Sequence, residues 1–488
     1  MASWSYSSMI SFFIIMILPS FPSYCSRRFL DDNQPCPGHV DYSGSFPPSY
    51  FDTEDHHDRG DFENYLINPT ARLLSFERRK LEQEDEGTAI VVLNVDDFGA
   101  KGNGKDDTEA FKNAWEKACS SKRTTVLVVP QKKYLVKPIK LEGPCKSNSL
   151  TIRIQGTIEA SNKCSDYNEY GRHWLLFDSV QDLLIEGGGT LDGNGGVWWK
   201  RSCKIKKSHP CNNKAPTALT FYKCENLVVR DLKIQNAQQI QVSFQRCKKV
   251  GASSLTVTAP RHSPNTDGIH VTHTQDIQIS NSVIGTGDDC ISIVSGSQRV
   301  WITNITCGPG HGISIGSLGS RHSEAHVSDI IVDRVKFFET SNGVRIKTWQ
   351  GGSGSAKNIE FLNIQMNNVH NPIIIDQNYG DQKNPCKEEC SAVQVKDIFY
   401  ENITGTSATK VAIKFNCSRR FKCEGVVLKD VDIRRHHEKN KAQALCENVK
   451  LTDIGFVAPL CPNAHKGRNN TRPSVQQPHH KKIRNPIN

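Results

Sequence analysis

The sequence has no apolar run long enough to span a membrane. Its one strongly apolar stretch, MISFFIIMILPSF at residues 9–21, is too short and too close to the first residue to form a spanning helix. The small residues that follow at 20–26 suit a cleavage site, so we expect residues 1–26 to be a secretory signal peptide. No later stretch is apolar enough to cross a bilayer, so we expect a soluble, secreted, extracellular protein.

The sequence also lacks the cysteine and histidine spacing of zinc sites, although it contains 17 cysteines. Close cysteine pairs instead favour local disulfides in an oxidising compartment. The candidate pairs are Cys417 with Cys423, Cys446 with Cys461, and Cys290 with Cys307. Four N-x-S/T triplets are candidate glycan acceptors in an exported protein, at Asn304, Asn402, Asn416 and Asn469.

The sequence also lacks a nucleotide-binding loop. Residues 91–119 predict a strand, then a Gly-rich turn, then a helix that begins near Asp107 or Thr108. The turn has neither the GK[ST] ending of a P-loop nor the full GxGxxG order, so a structural turn is favoured over phosphate binding. The apolar residues of the helix lie on one face, at Ala110, Phe111, Ala114, Trp115 and Ala118.

The formal net charge of the chain is +10, so its composition suits binding to an anionic partner. A basic body suggests nucleic acid, a membrane surface or an acidic polysaccharide as a partner. No RNA-recognition signature is present, and the expected signal peptide argues against nuclear nucleic acid. An acidic polysaccharide is therefore the predicted partner, with no nucleic acid and no membrane once the signal has been removed.

Composition divides the remainder of the chain into three segments. Residues 27–87 hold 14 acidic and 7 basic residues and little hydrophobic period, so we expect a disordered segment or a removable pro-segment. Residues 88–461 carry the patterned body, which we expect to be the catalytic domain. Residues 462–488 hold 6 basic residues and no acidic residue, and we expect a flexible basic tail.

Beyond residue 180 the body repeats short β-branched runs interrupted by Asn, Asp, Ser or Gly, with almost no helical period. From Leu227 onward, successive runs begin 23–39 residues apart. A period in this range is typical of a solenoid, and short strands with turn residues in every coil predict an all-β, single-stranded parallel β-helix. The helix within residues 91–119 would cap its apolar end. A β-propeller is the alternative, but its repeats are usually longer.

Four polar clusters recur on consecutive repeats, as NTD at 265–267, GDD at 287–289, GHG at 310–312 and RIK at 345–347. Asp267, Asp289 and His311 follow one another at intervals of 22 residues, so stacking of the coils would bring them side by side. The step of 34 residues to Arg345 indicates a coil with a longer loop. We therefore expect carboxylates, an imidazole and cations on one face of the solenoid.

The adjacent acids of the GDD cluster require a turn. On a regular strand Asp288 and Asp289 would point to opposite faces. Gly285 and Gly287, just before them, allow the chain to turn and to direct both carboxylates into one cleft.

These residue types suit hydrolysis of a glycosidic bond, which needs a proton donor for the leaving oxygen and a base for water. Mutual repulsion of crowded carboxylates raises the pKa of one of them, so that one group stays protonated while another is ionised. Arg345 and Lys347 lie two residues apart on a predicted strand and share one face, where they suit a substrate with a carboxylate on every sugar. A single aspartate in a turn is usually structural, but four clusters at coil spacing favour a site.

The same segments resemble a known family. SPNTDGI (263–269), GTGDDCISI (285–293), CGPGHGISIGSLG (307–319) and RIK (345–347) look like the four signature segments of plant polygalacturonases, glycoside hydrolase family 28. The resemblance runs from about Asp96 to Cys461 and includes DGNGGVWW at 192–199. It implies a right-handed parallel β-helix. It also implies hydrolysis of the α-1,4-galacturonosidic linkages of pectin in the cell wall, with inversion at the anomeric carbon.

The resemblance implies a role for each residue of the site. Asp288 matches the general acid, Asp267 and Asp289 match the pair that activates water, and His311 matches a residue that supports the acid. The residues that match substrate contacts are Asn265, Arg345, Lys347 and Tyr379. No cofactor and no metal are implied, and we expect a monomer.

Three alternatives stay open. The substrate could be rhamnogalacturonan or xylogalacturonan, although the GHG and RIK clusters suit plain galacturonan. A pectate lyase on a similar β-helix would abstract a proton, usually with calcium, and leave an unsaturated product that absorbs in the ultraviolet. A catalytically silent wall-binding protein would release no reducing ends and would be indifferent to loss of Asp288.

Overall fold

A computed structural model of the chain describes residues 90–147, 149–168, 172–205, 215–380, 389, 391–436 and 441–467. The predicted signal peptide (1–26), the acidic segment (27–87) and most of the predicted tail (462–488) lie outside these residues. The predictions made for those segments are therefore not tested by the structure.

Two parallel sheets account for nearly all of the regular structure in this part of the chain. The 11-stranded sheet contains, in spatial order, β5 (Ile139–Glu142), β8 (His173–Asp178), β11 (Thr217–Tyr222), β13 (Val242–Gln245), β15 (Ile269–Thr272), β17 (Ile291–Ile293), β19 (Ile313–Leu318), β21 (Asn342–Thr348), β23 (Asn371–Asp376), β25 (Val411–Asn416) and β27 (Gln443–Glu447).

The 18-stranded sheet contains shorter strands near the N-terminal end and long strands after β10. In chain order they are β1 (Val91–Asn94), β2 (Asn103–Asp106), β3 (Thr125–Val129), β4 (Lys133–Val136), β6 (Leu150–Ile154), β7 (Thr157–Ala160), β9 (Gln181–Glu186), β10 (Thr190–Asp192), β12 (Glu225–Gln235), β14 (Lys248–Thr258), β16 (Gln275–Gly285), β18 (Gln298–Cys307), β20 (Glu324–Phe338), β22 (Ser353–Val369), β24 (Gln394–Ser407), β26 (Cys423–Arg435), β28 (Val449–Ala458) and β29 (His465–Lys466).

From β12 onward each coil contributes one long strand to the 18-stranded sheet, whereas earlier coils contribute two short strands, such as β9 and β10, which pair with the two halves of β12. Adjacent strands of the 11-stranded sheet pair in register, so that Val242 lies beside Ile269, Ile269 beside Ile291, and Ile291 beside Ile313. These side chains are fully buried and fill the interior of the solenoid. The chain is thus a right-handed parallel β-helix, and the predicted fold class is confirmed.

A second interior column of the same sheet, in which Phe244 lies beside Val271, becomes aromatic toward the N-terminal end. The rings of Phe177, Phe221 and Phe244 stack on successive coils with centroids 5.2 and 5.4 Å apart. Neighbouring coils repeat at about 4.8 Å, which is close to the preferred spacing of parallel aromatic rings. Each ring therefore finds a partner on the next coil, and no coil buries its apolar face alone.

The long strands of the 18-stranded sheet bend at residues in the left-handed region, and asparagine tolerates this conformation well. Asn281, Asn304, Asn363 and Asn402 all have φ between 51° and 54°. Their amides bond from coil to coil, with Asn304 Nδ2 donating to Asn281 Oδ1 and Asn402 Nδ2 to Asn363 Oδ1, both at 2.8 Å. The polar interruptions in the repeated runs are therefore stacked corners of the solenoid.

Two of the predicted glycan acceptors lie at these corners, where Asn304 and Asn402 are exposed. Asn416 is half-buried, and its Nδ2 donates to Asp376 Oδ1 at 3.1 Å. Asn469 lies outside the described residues. Glycosylation stays a prediction at all four positions.

The opening helix caps the stack, as the sequence predicts. Helix α1 (Thr108–Ser120) buries the five apolar residues expected on its inner face. Trp115 packs edge-on against Phe177 with centroids 5.6 Å apart, and Phe111 packs against Tyr134 at 5.5 Å. The helix therefore covers the apolar end of the column that would otherwise face water.

The Gly-rich turn before α1 is filled by a protein carboxylate. Asp107 Oδ1 accepts from the amide of Lys101 at 2.7 Å, and its Oδ2 accepts from the amide of Gly102 at 3.2 Å. These amides are the donors that a phosphate would need, so the structural interpretation of the turn is supported.

The four disulfides of the described residues agree with an oxidising compartment. They join Cys119 to Cys145, Cys290 to Cys307, Cys417 to Cys423, and Cys446 to Cys461. The last three were predicted from the sequence and are confirmed. The first was not predicted, because only the docking of α1 brings its cysteines together.

Strand pairing continues beyond residue 461, the predicted end of the β-helix. Strand β29 pairs in parallel with β28 through His465 beside Thr452 and Lys466 beside Asp453. The beginning of the segment predicted to be a tail therefore belongs to the solenoid. Among the described residues, none of the helices is both long and apolar enough to span a membrane.

The cap can be tested by truncating its central side chain. Replacing Trp115 by Ala leaves a cavity against Phe177, so the free energy of unfolding should fall by about 3–5 kcal/mol. Chemical denaturation of the purified protein measures the change. Glu116→Ala, on the exposed side of the same helix, is the matched control and should stay within about 0.5 kcal/mol of the parent. Equal stability of the two variants would show that the helix does not seal the core.

Candidate active site

Three of the four polar clusters lie in turns that precede consecutive strands of the 11-stranded sheet. Asp267 comes before β15, Asp288 and Asp289 lie between β16 and β17, and His311 comes before β19. Because these strands are adjacent and in register, the turns stack at one edge of the sheet. The predicted convergence of these residues is what the structure contains, and the predicted turn at Asp288 and Asp289 is present.

The fourth cluster occupies a different place on its coil. Arg345 and Lys347 lie within β21 itself, and Arg345 pairs in register with Ser314 of β19. Their side chains reach back toward the turn that carries Asp289. The two cations therefore approach the carboxylates from the face of the sheet and not from a stacked turn.

Glycine is required where these turns pack against neighbouring backbone. A Cβ on Gly287 would lie 2.0 Å from the carbonyl oxygen of Ser263. Gly312 has φ +85°, and a Cβ there would lie 2.1 Å from the carbonyl oxygen of Asn342. The disulfide between Cys290 and Cys307 further ties the Asp289 turn to the end of β18. These contacts hold the turns in one arrangement.

Asp288 is partly exposed, with 13% of its side chain accessible, and donors surround its carboxylate. Its Oδ1 lies 2.9 Å from His311 Nδ1 and accepts from the amide of Asp289 at 2.9 Å. Its Oδ2 accepts from Asn265 Nδ2 at 3.4 Å and lies 3.9 Å from Lys204 Nζ. His311 and Asn265 thus both contact the carboxyl that the family resemblance names as the acid.

These donors determine the ionisation of Asp288. Burial alone would raise its pKa, but the hydrogen bond and charge of His311, followed by the charges of Lys204 and Lys347, lower the pKa to about 2. Asp288 is therefore a carboxylate at ordinary pH.

Asp289 is buried, with 2% of its side chain exposed, and it is held by two cations. Its Oδ1 accepts from Arg345 Nη2 at 2.7 Å and from Ser314 Oγ at 2.9 Å. Its Oδ2 accepts from Lys347 Nζ at 3.0 Å. The cations that the sequence suggested as substrate contacts therefore already have a protein partner, although 14% of Arg345 and 10% of Lys347 remain exposed.

Asp267 has the opposite environment, because within the described part of the chain it has one neutral donor and no direct cation. Its Oδ2 accepts from Ser292 Oγ at 2.8 Å. Burial and then the negative charges of Asp288 and Asp289 raise the pKa of Asp267 to about 7, against the smaller opposing effects of Ser292 and Lys347. These surroundings favour a proton on Asp267 over one on Asp288 at acidic pH.

Tyr379 lies beside the cations at the edge of the cluster. Lys347 Nζ is 5.4 Å from the centre of its ring, within the range of a cation–π contact. Trp349 packs edge-on against the same ring with centroids 5.6 Å apart. Tyr379 is thus near the site, as the sequence predicts, and Trp349 is an aromatic neighbour that the prediction missed.

The sequence analysis missed four polar residues that contact the acids or their partners: Lys204, His270, Ser292 and Ser314. Three of them occupy one register on neighbouring strands, with His270 beside Ser292 and Ser292 beside Ser314. Each follows a cluster residue by three positions and interrupts a pair of β-branched residues, as in ISI at 291–293. That repeated polar interruption was a usable signal, whereas nothing in the sequence near Lys204 points to the site.

A metal ion does not suit this donor set. Among the described residues, Asp288, Asp289 and His311 have donor atoms within 4.8 Å of one another. However, Asp289 already accepts from Arg345 and Lys347, and these positive charges would repel a cation. The absence of a metal role stays a prediction, and the arrangement of charges supports it.

Comparison with known proteins places this arrangement in context. Residues 119–458 match the model of the glycosyl hydrolases family 28. The chain is 54% identical over 465 residues to a polygalacturonase of Malus domestica, covering 92% of this chain and 98% of that one. It is 51% identical over 450 residues to polygalacturonase-2 of Solanum lycopersicum, covering 92% and 94%. An exopolygalacturonase from Thermotoga maritima shares the fold, with TM-score 0.64, 20% identity, and coverage of 78% and 94%.

The role of Gly287 in holding the acid-bearing turn can be tested directly. Gly287→Ala should destabilise the protein by about 1–3 kcal/mol or more, because neither the new Cβ nor the Ser263 carbonyl can move freely. The midpoint of thermal unfolding measures this. Gly196→Ala is the control, because a Cβ there meets no atom within 4 Å. An unchanged midpoint for Gly287→Ala would contradict the close packing of the turn.

Proposed function

This chain belongs to the glycosyl hydrolases family 28, and we propose that it hydrolyses the α-1,4 linkages of polygalacturonate in cell-wall pectin. The observation that carries the proposal is the meeting of Asp267, Asp288 and Asp289 at one edge of the sheet, beside two partly exposed cations. The names of the relatives support the same substrate.

Each acid has a distinct part in the proposed reaction. Asp288 gives a proton to the leaving glycosidic oxygen, and Asp267 and Asp289 act on water at the opposite side of the sugar, which inverts the anomeric carbon. His311 supports this assignment, because its contact with Asp288 Oδ1 orients the acid. Both oxygens of Asp289 already accept from cations, so Asp267 is the acid placed to accept the proton of water.

The proton distribution that these pKa values imply corresponds to the state after one turnover. The reaction transfers one proton from Asp288 to the leaving oxygen and one from water to Asp267. Between the pKa values of about 2 for Asp288 and about 7 for Asp267, Asp288 is already ionised and Asp267 is protonated. The next turnover therefore requires that Asp288 regain a proton and that Asp267 release one.

Substrate binding favours this redistribution. A galacturonate carboxylate that approaches Lys204 would neutralise part of the positive charge that lowers the pKa of Asp288. With 59% of its side chain exposed, Lys204 is free to meet such a group. The substrate would thus promote protonation of the acid that cleaves it.

Arg345 has two tasks in this proposal. Its remaining exposed surface can meet a substrate carboxylate, while its Nη2 donates to Asp289 Oδ1 and holds that carboxyl in place. Lys347 has the same double position, with Tyr379 beside it as an aromatic surface for the sugar. Loss of Arg345 would therefore weaken catalysis as well as substrate binding, which the sequence alone did not indicate.

We also propose that the protein acts outside the cell as a monomer. The disulfides of the described residues and the names of the plant relatives support an extracellular setting. Residues 1–26 would direct export, residues 27–87 would form a removable or disordered segment, and the residues after Lys466 a basic tail.

Removal of the proposed acid is the central test. Asp288→Asn cannot give a proton, so release of reducing ends from polygalacturonate should fall about a hundredfold to ten-thousandfold. Asp397→Asn, at an exposed aspartate of the 18-stranded sheet, should keep the parent rate. Product sizes and ultraviolet absorbance are followed in the same assay. An unchanged rate for Asp288→Asn would refute the assigned acid, and a rise in absorbance would indicate a lyase.

The pH dependence of the rate provides a second test. The pair formed by Asp267 and Asp288 holds a single proton between the pKa values of about 2 and about 7, and the reaction needs that one proton. We therefore expect kcat/KM on polygalacturonate to follow a bell across acidic pH and to fall as the pH rises through about 7. A rate that stays constant up to about pH 9 would be incompatible with the proposed proton inventory.

A further inference from the structure

Both carboxylates proposed to act on water are held by a serine. Ser292 Oγ donates to Asp267 Oδ2 at 2.8 Å, and Ser314 Oγ donates to Asp289 Oδ1 at 2.9 Å. The two serines lie side by side on β17 and β19. The site thus contains two parallel chains of hydrogen bonds, one for each carboxylate.

The two chains end in different nitrogen groups. Arg345 Nε donates to Ser314 Oγ at 2.9 Å, whereas His270 Nδ1 lies 2.8 Å from Ser292 Oγ. His270, Ser292, Ser314 and Arg345 occupy one register on four adjacent strands. Arg345 lies on the strand after Ser314 and His270 on the strand before Ser292, so the two nitrogen groups reach their serines from opposite sides and also differ in chemistry.

A guanidinium can only donate hydrogen bonds. The hydrogen bonds from Arg345 through Ser314 therefore point in one direction, and Asp289 must accept the last of them. A neutral imidazole can donate from Nδ1 or accept there, depending on its tautomer. Burial lowers the pKa of His270 to about 4, so the ring is neutral above that pH. The described residues provide no hydrogen-bond partner for His270 Nε2, so this atom can carry the proton in the second tautomer.

We propose that His270, acting through Ser292, is a positioning residue that lets Asp267 take and release the proton of water, whereas Arg345, acting through Ser314, holds Asp289 as a hydrogen-bond acceptor only. With Asp267 ionised, His270 Nδ1–H donates to Ser292, and Ser292 donates to Asp267. With Asp267 protonated, the direction reverses, and Asp267 donates to Ser292 and Ser292 to His270 Nδ1. The partly exposed ring stays neutral in both states, because it loses its Nδ1 proton to solvent and takes one up on Nε2. The inference rests on the proposed hydrolytic function.

The proton balance of the reaction explains why reversal is useful. When the oxygen of water bonds to the anomeric carbon, one water O–H bond breaks and its proton goes to Asp267. Asp267 then changes from a hydrogen-bond acceptor to a donor. If its neighbour could only donate, as the Arg345-linked Ser314 does, this hydrogen bond would be lost. A chain that reverses keeps Asp267 bonded in both states. The charged groups facing Asp267 are Asp288, Asp289 and Lys347.

The test compares three variants by kcat, KM and the pH profile on polygalacturonate. His270→Leu can neither donate nor accept, and we expect kcat to fall about tenfold with little change in KM. Hydrogen bonds to a charged group are stronger than those to a neutral one, so weakening the chain disfavours ionised Asp267. The alkaline limb should therefore move to higher pH. Ser292→Ala should have the same effects, more strongly.

Rescue distinguishes positioning from mere packing. His270→Asn retains a side-chain amide that can donate or accept near the place of Nδ1, so it should recover most of kcat and return the alkaline limb toward the parent value. His173→Leu is the matched control, because His173 Nδ1 bonds Thr220 Oγ1 at 3.0 Å on the same sheet, three strands from His270. It should leave the alkaline limb unchanged.

Each outcome decides the inference. Parental kcat and an unmoved limb in His270→Leu would overturn it, as would a rate loss that Asn does not restore. If His270→Leu fails to fold, Ser292→Ala and His270→Asn carry the same comparison. A parent protein that releases no reducing ends would overturn the proposed function and this inference together, whereas an active parent with insensitive variants would overturn the inference alone.

Discussion

The whole structure depends on the in-register hydrogen bonding of parallel strands from one coil to the next. This ladder forces residues one coil apart in sequence to lie about 4.8 Å apart in space. Apolar residues at equivalent positions then form the interior columns, and asparagines form the stacked corners. The same constraint brings the turns before β15, β17 and β19, which carry the three acids and His311, to one edge of the 11-stranded sheet.

Crowding three carboxylates at that edge is electrostatically unfavourable, and the site resolves the conflict unevenly. Asp289 is neutralised by Arg345 and Lys347, and Asp288 is stabilised by His311 and neighbouring charges. Among the described residues Asp267 accepts from the hydroxyl of Ser292 alone, so burial and the repulsion of the other two carboxylates raise its pKa and favour its protonated form. One position of the cluster is thereby left able to exchange a proton at acidic to neutral pH.

The unequal partners have a common structural origin. A single register of β15, β17, β19 and β21 supplies His270, Ser292, Ser314 and Arg345, so one row of side chains serves two carboxylates. Because the ladder is periodic, a change of residue type at one coil alters one carboxylate without moving the other. The solenoid thus separates the geometry of the site, which the backbone sets, from its charges, which single side chains set.

Features of the fold and the site that depend on repeat length or on nearby residues could be predicted from the sequence alone. Spacing of 22 residues brought Asp267, Asp289 and His311 together, one apolar face identified the cap helix, and short separations identified three disulfides. These are properties of the backbone ladder or of nearby residues, and both can be read along the chain.

The hydrogen bonds and ion pairs between site side chains could be identified only in the folded protein. The pairing of Arg345 and Lys347 with Asp289, the proton on Asp267 and the chain from His270 through Ser292 depend on burial and on side-chain direction across several coils. Sequence spacing predicts which residues share a face of the solenoid. It does not predict which donor bonds to which carboxylate oxygen, because several donors compete for each oxygen in the folded protein.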